Sequence, residues 1–295
     1  MQILLTGSNG QVGRYLTTAL GSLGNVMATN RSILDLSQPQ HVRAQVISLA
    51  PDVIVNAAAY TDVERAELEE QSALTINGVS VGELADAARE RQVPLIHYST
   101  DYVFDGTKAL PYVEEDQCAP LSAYGRSKLD GELRIRNSDC AHLILRTSWV
   151  YAAAGRNFLT TMLRLATERE ELRVVDDQVG APTFAGFIAA ATAQIIEQFI
   201  SSDAARRRVD EGDIVHLANG GATSWFGFAS EIFANEAIRQ RVRTPQLMPI
   251  KTDGFPTRAQ RPANSRLSTE KARTVWKLAV PDWRESLADC ISQLR

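Results

Sequence analysis

Cysteine is scarce in this chain. Cys118, Cys140 and Cys290 are the three among 295 residues, far apart and without a CxxC pair. An odd, dispersed set excludes a disulfide framework and a thiolate zinc site. Histidine is nearly as rare. His41, His97, His142 and His216 show no ligand spacing, and each reads as a packing or surface residue. No metal is expected. Apolar runs are short, none approaching the ~18 residues of a membrane span. Residues 2–5 lack a basic flank and are too short for a secretory signal. A cytoplasmic location, with no membrane partner, is the expectation. Dense basic tracts are also missing, at a formal net charge of −4. Arg206-Arg207-Arg208 sits among Ser201, Ser202, Asp203, Asp210 and Glu211, which reads as a solvated connector and excludes a nucleic-acid surface.

What is there is ordinary globular material, 44% hydrophobic and 22% charged, enough for one large domain or a domain with a cap. The first half alternates strand-like and helix-like segments. Strands are expected at 3–6, 26–29, 52–56, 95–99 and 142–147, as continuous apolar runs. Such runs suit a parallel sheet buried on both faces. Helices are expected at 11–20, 40–49, 68–91 and 122–137, the third as one long stretch. Repeated β-α-β order with right-handed crossovers predicts an α/β, Rossmann-type doubly wound parallel sheet. Beyond residue 148 the rhythm loosens. Helices are expected at 157–169, 184–199, 225–240, 269–276 and 283–294, and strands at 172–175 and 214–217. Residues 201–213 read as a polar loop, and a Pro-rich stretch carries Pro245, Pro249, Pro256 and Pro262. The expected division is a dinucleotide-binding unit over 1–150, with segments returning at about 183–219. A smaller C-terminal α/β substrate-binding cap comes from 151–182 and 220–295. A ligand would lie between them.

Two segments carry the chemistry. Gly7-Ser8-Asn9-Gly10-Gln11-Val12-Gly13 follows the first strand and opens the first helix. Gly7 permits the turn, Gly10 lets backbone approach a pyrophosphate, and Gly13 lets the helix pack on the sheet. The helix N-terminus offers free N–H groups to phosphate. The second strand ends in Thr29-Asn30-Arg31-Ser32, with no carboxylate to hold ribose hydroxyls. Arg31, with Asn30 beside it, suits a 2′-phosphate, so NADPH is expected ahead of NADH. Asp35-Leu36 would meet the adenine end. Small residues at Ala57, Ala58 and Ala59 would let a cofactor lie along the sheet edge, with Tyr60 and Thr61 next on that edge. The second segment is Tyr124-Gly125-Arg126-Ser127-Lys128. Tyr124 and Lys128 are one helical turn apart and share a face. An ammonium nearby would lower the phenol's pKa, and Tyr124 could protonate a carbonyl oxygen as hydride arrives. Thr100, after the fourth strand, brings a hydroxyl for the same oxygen.

These motifs resemble the extended short-chain dehydrogenase/reductases. Longer runs narrow the resemblance. His97 to Gly106, Arg146 to Tyr151, Asp177 to Thr183 and Arg261 to Leu267 are similar, in that order, to the dTDP-4-dehydrorhamnose reductases. The resemblance covers nearly the whole chain. It implies reduction of the 4-keto group of a dTDP-6-deoxyhexose by NAD(P)H, the last step of dTDP-L-rhamnose synthesis. It implies Thr100, Tyr124 and Lys128 as the triad. Gly10, Gln11, Val12, Asp35, Leu36, Ala59, Tyr60, Thr61 and Tyr98 would touch the cofactor. Thr100, Asp101 and Trp149 would face the sugar nucleotide. Asn264, Ser265 and Arg266 would stand in the cap near the diphosphate. A 3,5-epimerase of the same pathway is the partner it implies.

The chain also departs from that pattern. Some members hold Mg²⁺ between two subunits through glutamates, where this chain has Tyr15 and Phe184-Ala185-Gly186. Mg²⁺ binds through carboxylates and water. A metal-bridged dimer is therefore not expected, and a monomer or weak homodimer is. Two other classes remain open on the fold alone. One is a sugar-nucleotide dehydratase or epimerase; dehydratases commonly carry Asp-Glu after the active-site Thr, where this chain has Asp101-Tyr102. The other is a non-catalytic regulatory subunit of methionine adenosyltransferase, against which the intact Thr100, Tyr124 and Lys128 argue.

Overall fold

The computed structural model describes residues 1–294. Five strands alternate with helices from the start of the chain: β1 (Gln2–Thr6), β2 (Asn25–Ala28), β3 (Val53–Asn56), β4 (Leu95–Thr100) and β5 (His142–Thr147). With Asp213–His216 they form one six-stranded sheet, every neighbouring pair parallel. Its order is Asp213–His216, β5, β4, β3, β1, β2. The fold class is thus the doubly wound α/β one. β3 and β4 are buried along their whole length, as continuous apolar runs require when helices cover both faces. The chain steps from β1 outward to β2, then back across β1 to β3. Strand order reverses there, and a crevice opens at the carboxyl ends of the strands.

Helix α1 (Gln11–Ala19) and Ala185–Ser201 cover one face of the sheet, and α2 (Pro39–Leu49) and Ser80–Arg91 the other. A second apolar cluster lies beyond the sheet. It joins Tyr151, Leu159, Met162, Phe228, Trp283 and Ile291 with their neighbours. Ala272, Trp276, Leu278 and Val280 pack instead on the sheet's own core. Cys140 is buried in the cluster on the sheet face that α2 and Ser80–Arg91 cover, Cys290 in the second cluster, and Cys118 is part-exposed; all three thiols are free. No described helix is long and apolar enough to cross a membrane.

Three expectations are corrected. Residues 201–213 hold a helix, Asp203–Glu211, capped by the Ser202 hydroxyl. Its polarity misled because only Ala205 and Val209 are buried. The Pro-rich stretch contains a strand, Gln246–Ile250, parallel to Glu171–Val175. It is an edge strand, where Pro249 costs no buried ladder bond. The long helical stretch is also not uniform. Glu70–Leu74 and Ser80–Arg91 are joined by a π-turn at Thr75–Val79.

Candidate active site

A cleft of about 660 Å³ runs along the carboxyl ends of β1, β3 and β4. At one end the glycine loop leaves β1. Gly7 has φ +66°, and a Cβ there would meet the Ala58 nitrogen at 2.6 Å. A Cβ on Gly13 would lie 2.1 Å from the Gly7 carbonyl. These two glycines are required by the protein's own packing. Gly10 is different: its Cβ would meet only the Gly7 oxygen, at 3.1 Å, and the residue is exposed. No side chain caps the N-terminus of α1, so its N–H groups keep their capacity for an anion.

Gly7, Gly10, Gln11, Val12, Asn30, Arg31, Asp35, Leu36, Ala57, Ala58, Ala59, Thr61, Tyr98, Tyr124 and Lys128 all line this cleft. Gly13 does not; it sets the approach of α1 to the loop. Tyr60 does not line it either. Its N–H donates to Asn77 Oδ1 at 2.8 Å and its hydroxyl to Glu69 Oε2 at 2.8 Å. Asn30 folds a turn at the end of β2, its Oδ1 accepting from the Ser32 N–H at 2.9 Å. Arg31 is exposed on the cleft wall. The Ser37 N–H, then other groups including Arg31, hold the Asp35 carboxyl below its usual range.

The opposite end is built by β4 and the helix Ala123–Arg136. Ser122 caps that helix by accepting from the Gly125 N–H at 3.1 Å. Gly125 and Gly131 bring the helix close, since a Cβ at either would lie 2.2 Å from the carbonyl of Tyr102 or Asn77. Asn77, buried in the π-turn, donates to Ser127 Oγ at 2.9 Å and ties the Tyr60 loop to this helix. The residue is presented by the local widening of the helix, a feature frequent at functional sites. One turn further on, Glu132 pairs with Arg146 of β5 through two bonds of 2.9 and 2.7 Å, both side chains buried.

Tyr124 and Lys128 therefore lie side by side on the cleft wall. Burial pushes the Tyr124 phenol up, while the Thr100 hydroxyl pulls it down and Asp101 and Tyr102 push it further up. The expected lowering by Lys128 is not seen. Lys128 Nζ is turned to the Tyr98 carbonyl at 2.6 Å and His97 Nε2 at 3.0 Å. Burial pulls the Lys128 ammonium down to about 8. Thr100 donates to Asp101 Oδ1 at 2.9 Å and accepts from the Tyr102 N–H. Burial pushes the Asp101 carboxyl up to about 7, opposed by the hydroxyls of Ser265 and Thr100. Asp101 Oδ2 is buried and has no partner. Neither do Gln11 Oε1, Ser99 Oγ and Thr147 Oγ1, which belong to cleft-lining residues. Burying such groups unpaired is costly, so their convergence marks the place where a polar ligand completes them. Together with the uncapped helix and open Gly10, they fit a dinucleotide.

Trp149 has φ +47° and stacks on Trp225, ring centroids 3.5 Å apart. Its indole covers Gly180, where a Cβ would come within 2.5 Å of the ring. Asn264 is spent on structure: its amide donates to the carbonyls of Lys108 and Leu110 and accepts from Arg266. A second cavity, about 710 Å³, lies past the tryptophan pair, with Phe158, Trp225, Arg173 and Arg261 in its wall. Arg261 pairs with Glu64 at 2.9 Å and stands beside Tyr102, whose ring meets Tyr124 edge-on. Tyr15 packs edge-on against Phe184, and its hydroxyl donates to Gln293. Among the described residues no group of three or more His, Cys, Asp and Glu is placed to hold a metal.

Two lining residues carry no role in the motif reading, Thr147 and Arg156, and Ser32 and Ser99 join the wall beside the residues expected there. Arg156 reaches the cleft from the segment after Val150–Tyr151, directly after Gly155. His97, expected as a packing or surface residue, is buried and touches Lys128. A polar residue inside a fully buried strand was the available signal for it.

The family model described as RmlD substrate binding domain matches residues 1–295. A dTDP-4-dehydrorhamnose reductase of Burkholderia thailandensis is 44% identical, over 100% of this chain and 99% of its own length. The Escherichia coli K12 enzyme of that name is also 44% identical, over 100% and 98%. Among solved structures, the Bacillus anthracis dTDP-4-dehydrorhamnose reductase, crystallised in complex with NADP, superposes with a TM-score of 0.87 at 32% identity, covering 99% of each chain. A Clostridium acetobutylicum relative gives 0.89 at 34%, with the same coverage. Spanned end to end by the family model and by such relatives, this chain belongs to the RmlD family of dTDP-4-dehydrorhamnose reductases.

Proposed function

We propose that this chain reduces the 4-keto group of dTDP-4-dehydro-β-L-rhamnose to give dTDP-L-rhamnose. NADPH is the first choice of reductant and NADH the alternative. The observation that carries the reading is the placing of Tyr124 and Lys128 in the wall of a cleft that begins at an uncapped helix N-terminus, with the Thr100 hydroxyl beside Tyr124 and bonded to Asp101. When bound, the dinucleotide supplies the hydride. Gly10, Gln11 and Val12 hold its diphosphate, and Arg31 with Ser32 takes the 2′-phosphate. Ala57, Ala58 and Ala59 leave room along the sheet edge, and Arg156 brings a cation from the other wall.

Tyr124 donates its phenol proton to the carbonyl oxygen. A phenol pushed up by burial keeps its proton until the oxygen becomes alkoxide-like, so transfer follows the arrival of hydride. Thr100 orients the same oxygen. Lys128 returns a proton to the phenolate. Asp101 and Ser265 take sugar hydroxyls, and Trp149 walls the sugar's apolar face. The second cavity suits the nucleotide end of the substrate: Phe158 and Trp225 offer faces to a base, and Arg173 and Arg261 offer charge to phosphate. Asn264 serves by shaping the loop beside Ser265. The dinucleotide unit is residues 1–150 with about 183–219, and the cap comes from 151–182 and 220–295, of which 272–280 pack back on the core of the sheet. A 3,5-epimerase of the pathway supplies the substrate.

The test is to incubate the chain with dTDP-4-keto-6-deoxyglucose and NADPH, with and without such an epimerase, following NADPH loss and identifying the sugar. Epimerase-dependent oxidation yielding dTDP-L-rhamnose is expected. No net NADPH oxidation in either arm would sink the proposal.

A further inference from the structure

Behind Lys128 lies a buried chain of polar groups that the hydride reaction does not itself touch. His97 Nε2 is 3.0 Å from Lys128 Nζ, and His97 Nδ1 is 2.9 Å from Asn56 Nδ2. Asn56 Oδ1 accepts from the Thr6 hydroxyl at 2.5 Å and from the Ala58 N–H at 3.3 Å. Thr6, Asn56, His97 and Lys128 are all buried. They come from β1, β3, β4 and the helix Ala123–Arg136, so the chain runs across the sheet at its carboxyl edge.

Donor and acceptor roles in this chain are fixed from its far end. Two donors reach Asn56 Oδ1, which identifies that atom as the carbonyl oxygen and turns the amide N–H toward His97. His97 Nδ1 must then accept. Burial, with Lys128 beside it, holds the ring well below its usual pKa, so it is neutral. A neutral ring that accepts at Nδ1 carries its proton on Nε2, which points at Lys128. An ammonium has no lone pair to receive that proton; an amine has. The Tyr98 carbonyl accepts from Lys128 in either state. His97 is thus the partner that distinguishes the two.

We propose that Asn56 and His97 are positioning residues that stabilise the amine form of Lys128, so that Lys128 releases a proton to Tyr124 in every turnover. This rests on the reading of Tyr124 and Lys128 given above. The balance is simple. Tyr124 loses a proton to the substrate oxygen, forming the O–H bond. The Lys128 ammonium gives a proton to the phenolate and becomes an amine. His97 donates Nε2–H to the new lone pair until solvent restores the ammonium. Other groups around Lys128 are Tyr124 and Glu132 on its own helix, one turn away on either side. Glu132 favours the ammonium, but Arg146 from β5 occupies its carboxylate. From β3 comes only the neutral Asn56.

Nitrogen NMR of the full chain carrying ¹⁵N-histidine reads the tautomer without any turnover. With four histidines the spectrum is assignable by single substitutions. The expected result is His97 with its proton on Nε2 and Nδ1 bare. A proton on Nδ1, or an imidazolium, would overturn the relay. Asn56→Asp keeps the shape but accepts from Nδ1, turning the bare Nε2 to Lys128 and favouring the ammonium. It should move the alkaline limb of the kcat profile upward by about one pH unit. In an Asn56→Asp, His97→Gln double variant that movement should vanish; if it persists in full, the added charge alone explains it and the relay fails. Lys128→Met turning over at the wild-type rate would overturn the catalytic reading as well, whereas a wrong tautomer overturns the relay alone.

Discussion

The Tyr124 phenol and the Asp101 carboxyl both stand beside the Thr100 hydroxyl, and burial drives both toward their neutral forms. For Tyr124 this means a proton reserved for a strong base. Tyr124→Phe should lose at least about a hundredfold in kcat while binding NADPH as the wild type does, by fluorescence titration. Asp101 adds a thermodynamic signature. Its folded pKa, about 7, stands above the ordinary 3.8, so the folded state binds the proton more tightly. Its contribution is unfavourable once pH passes the unfolded value, and grows until pH reaches the folded one. Asp101→Asn should therefore stabilise the ligand-free protein at pH 8 by roughly 2–4 kcal/mol and leave it nearly unchanged at pH 4. Urea denaturation at the two pH values checks this. Arg31 is exposed on the cleft wall where β2 ends without a carboxylate, so Arg31→Ala should weaken NADPH tenfold or more and NADH little; equal losses would remove Arg31 from 2′-phosphate recognition.

At the scale of elements, the helix Ala123–Arg136 decides the site, because Tyr124 and Lys128 move with it. The buried Glu132–Arg146 pair anchors it to β5. Glu132→Ala leaves an unpaired guanidinium in the core and should cost about 3–5 kcal/mol. Arg126→Ala, which breaks an exposed pair with Glu70, should cost no more than about 1 kcal/mol. Paired unfolding curves test the contrast. The sequence made this helix, the five leading strands and the glycine loop legible, since apolar runs, glycine spacing and a four-residue Tyr–Lys interval are local signals. It did not reveal Asn77, whose reach depends on a π-turn that no period announces. Nor did it reveal the strand Gln246–Ile250, whose pairing with Glu171–Val175 closes over seventy residues and includes a proline. Thr100, Asp101 and Ser265 could be named from motifs, but the approach of Ser265 to Asp101 is tertiary. Arg156 had no motif at all.

At the scale of the whole molecule, three large apolar clusters hold the described residues, one on each face of the sheet and one beyond it, with Tyr15 and Phe187 packed against both the α1-face cluster and the outlying one. The free cysteines are distributed across these parts, and that makes them built-in clocks. Cys140 is sealed in the cluster on the α2 face of the sheet and Cys290 in the one beyond the sheet, where burial pushes its thiol up to about 12. A thiol in that state reacts only when its surroundings open. Under a thiol-alkylating reagent, part-exposed Cys118 should be tagged first. Cys140 and Cys290 should follow at separate rates, each timing the breathing of its own half, as mass spectrometry of quenched samples would record. NADPH should slow the Cys140 clock more than the Cys290 clock. Two identical rates would instead mean that the halves come apart as a single cooperative unit.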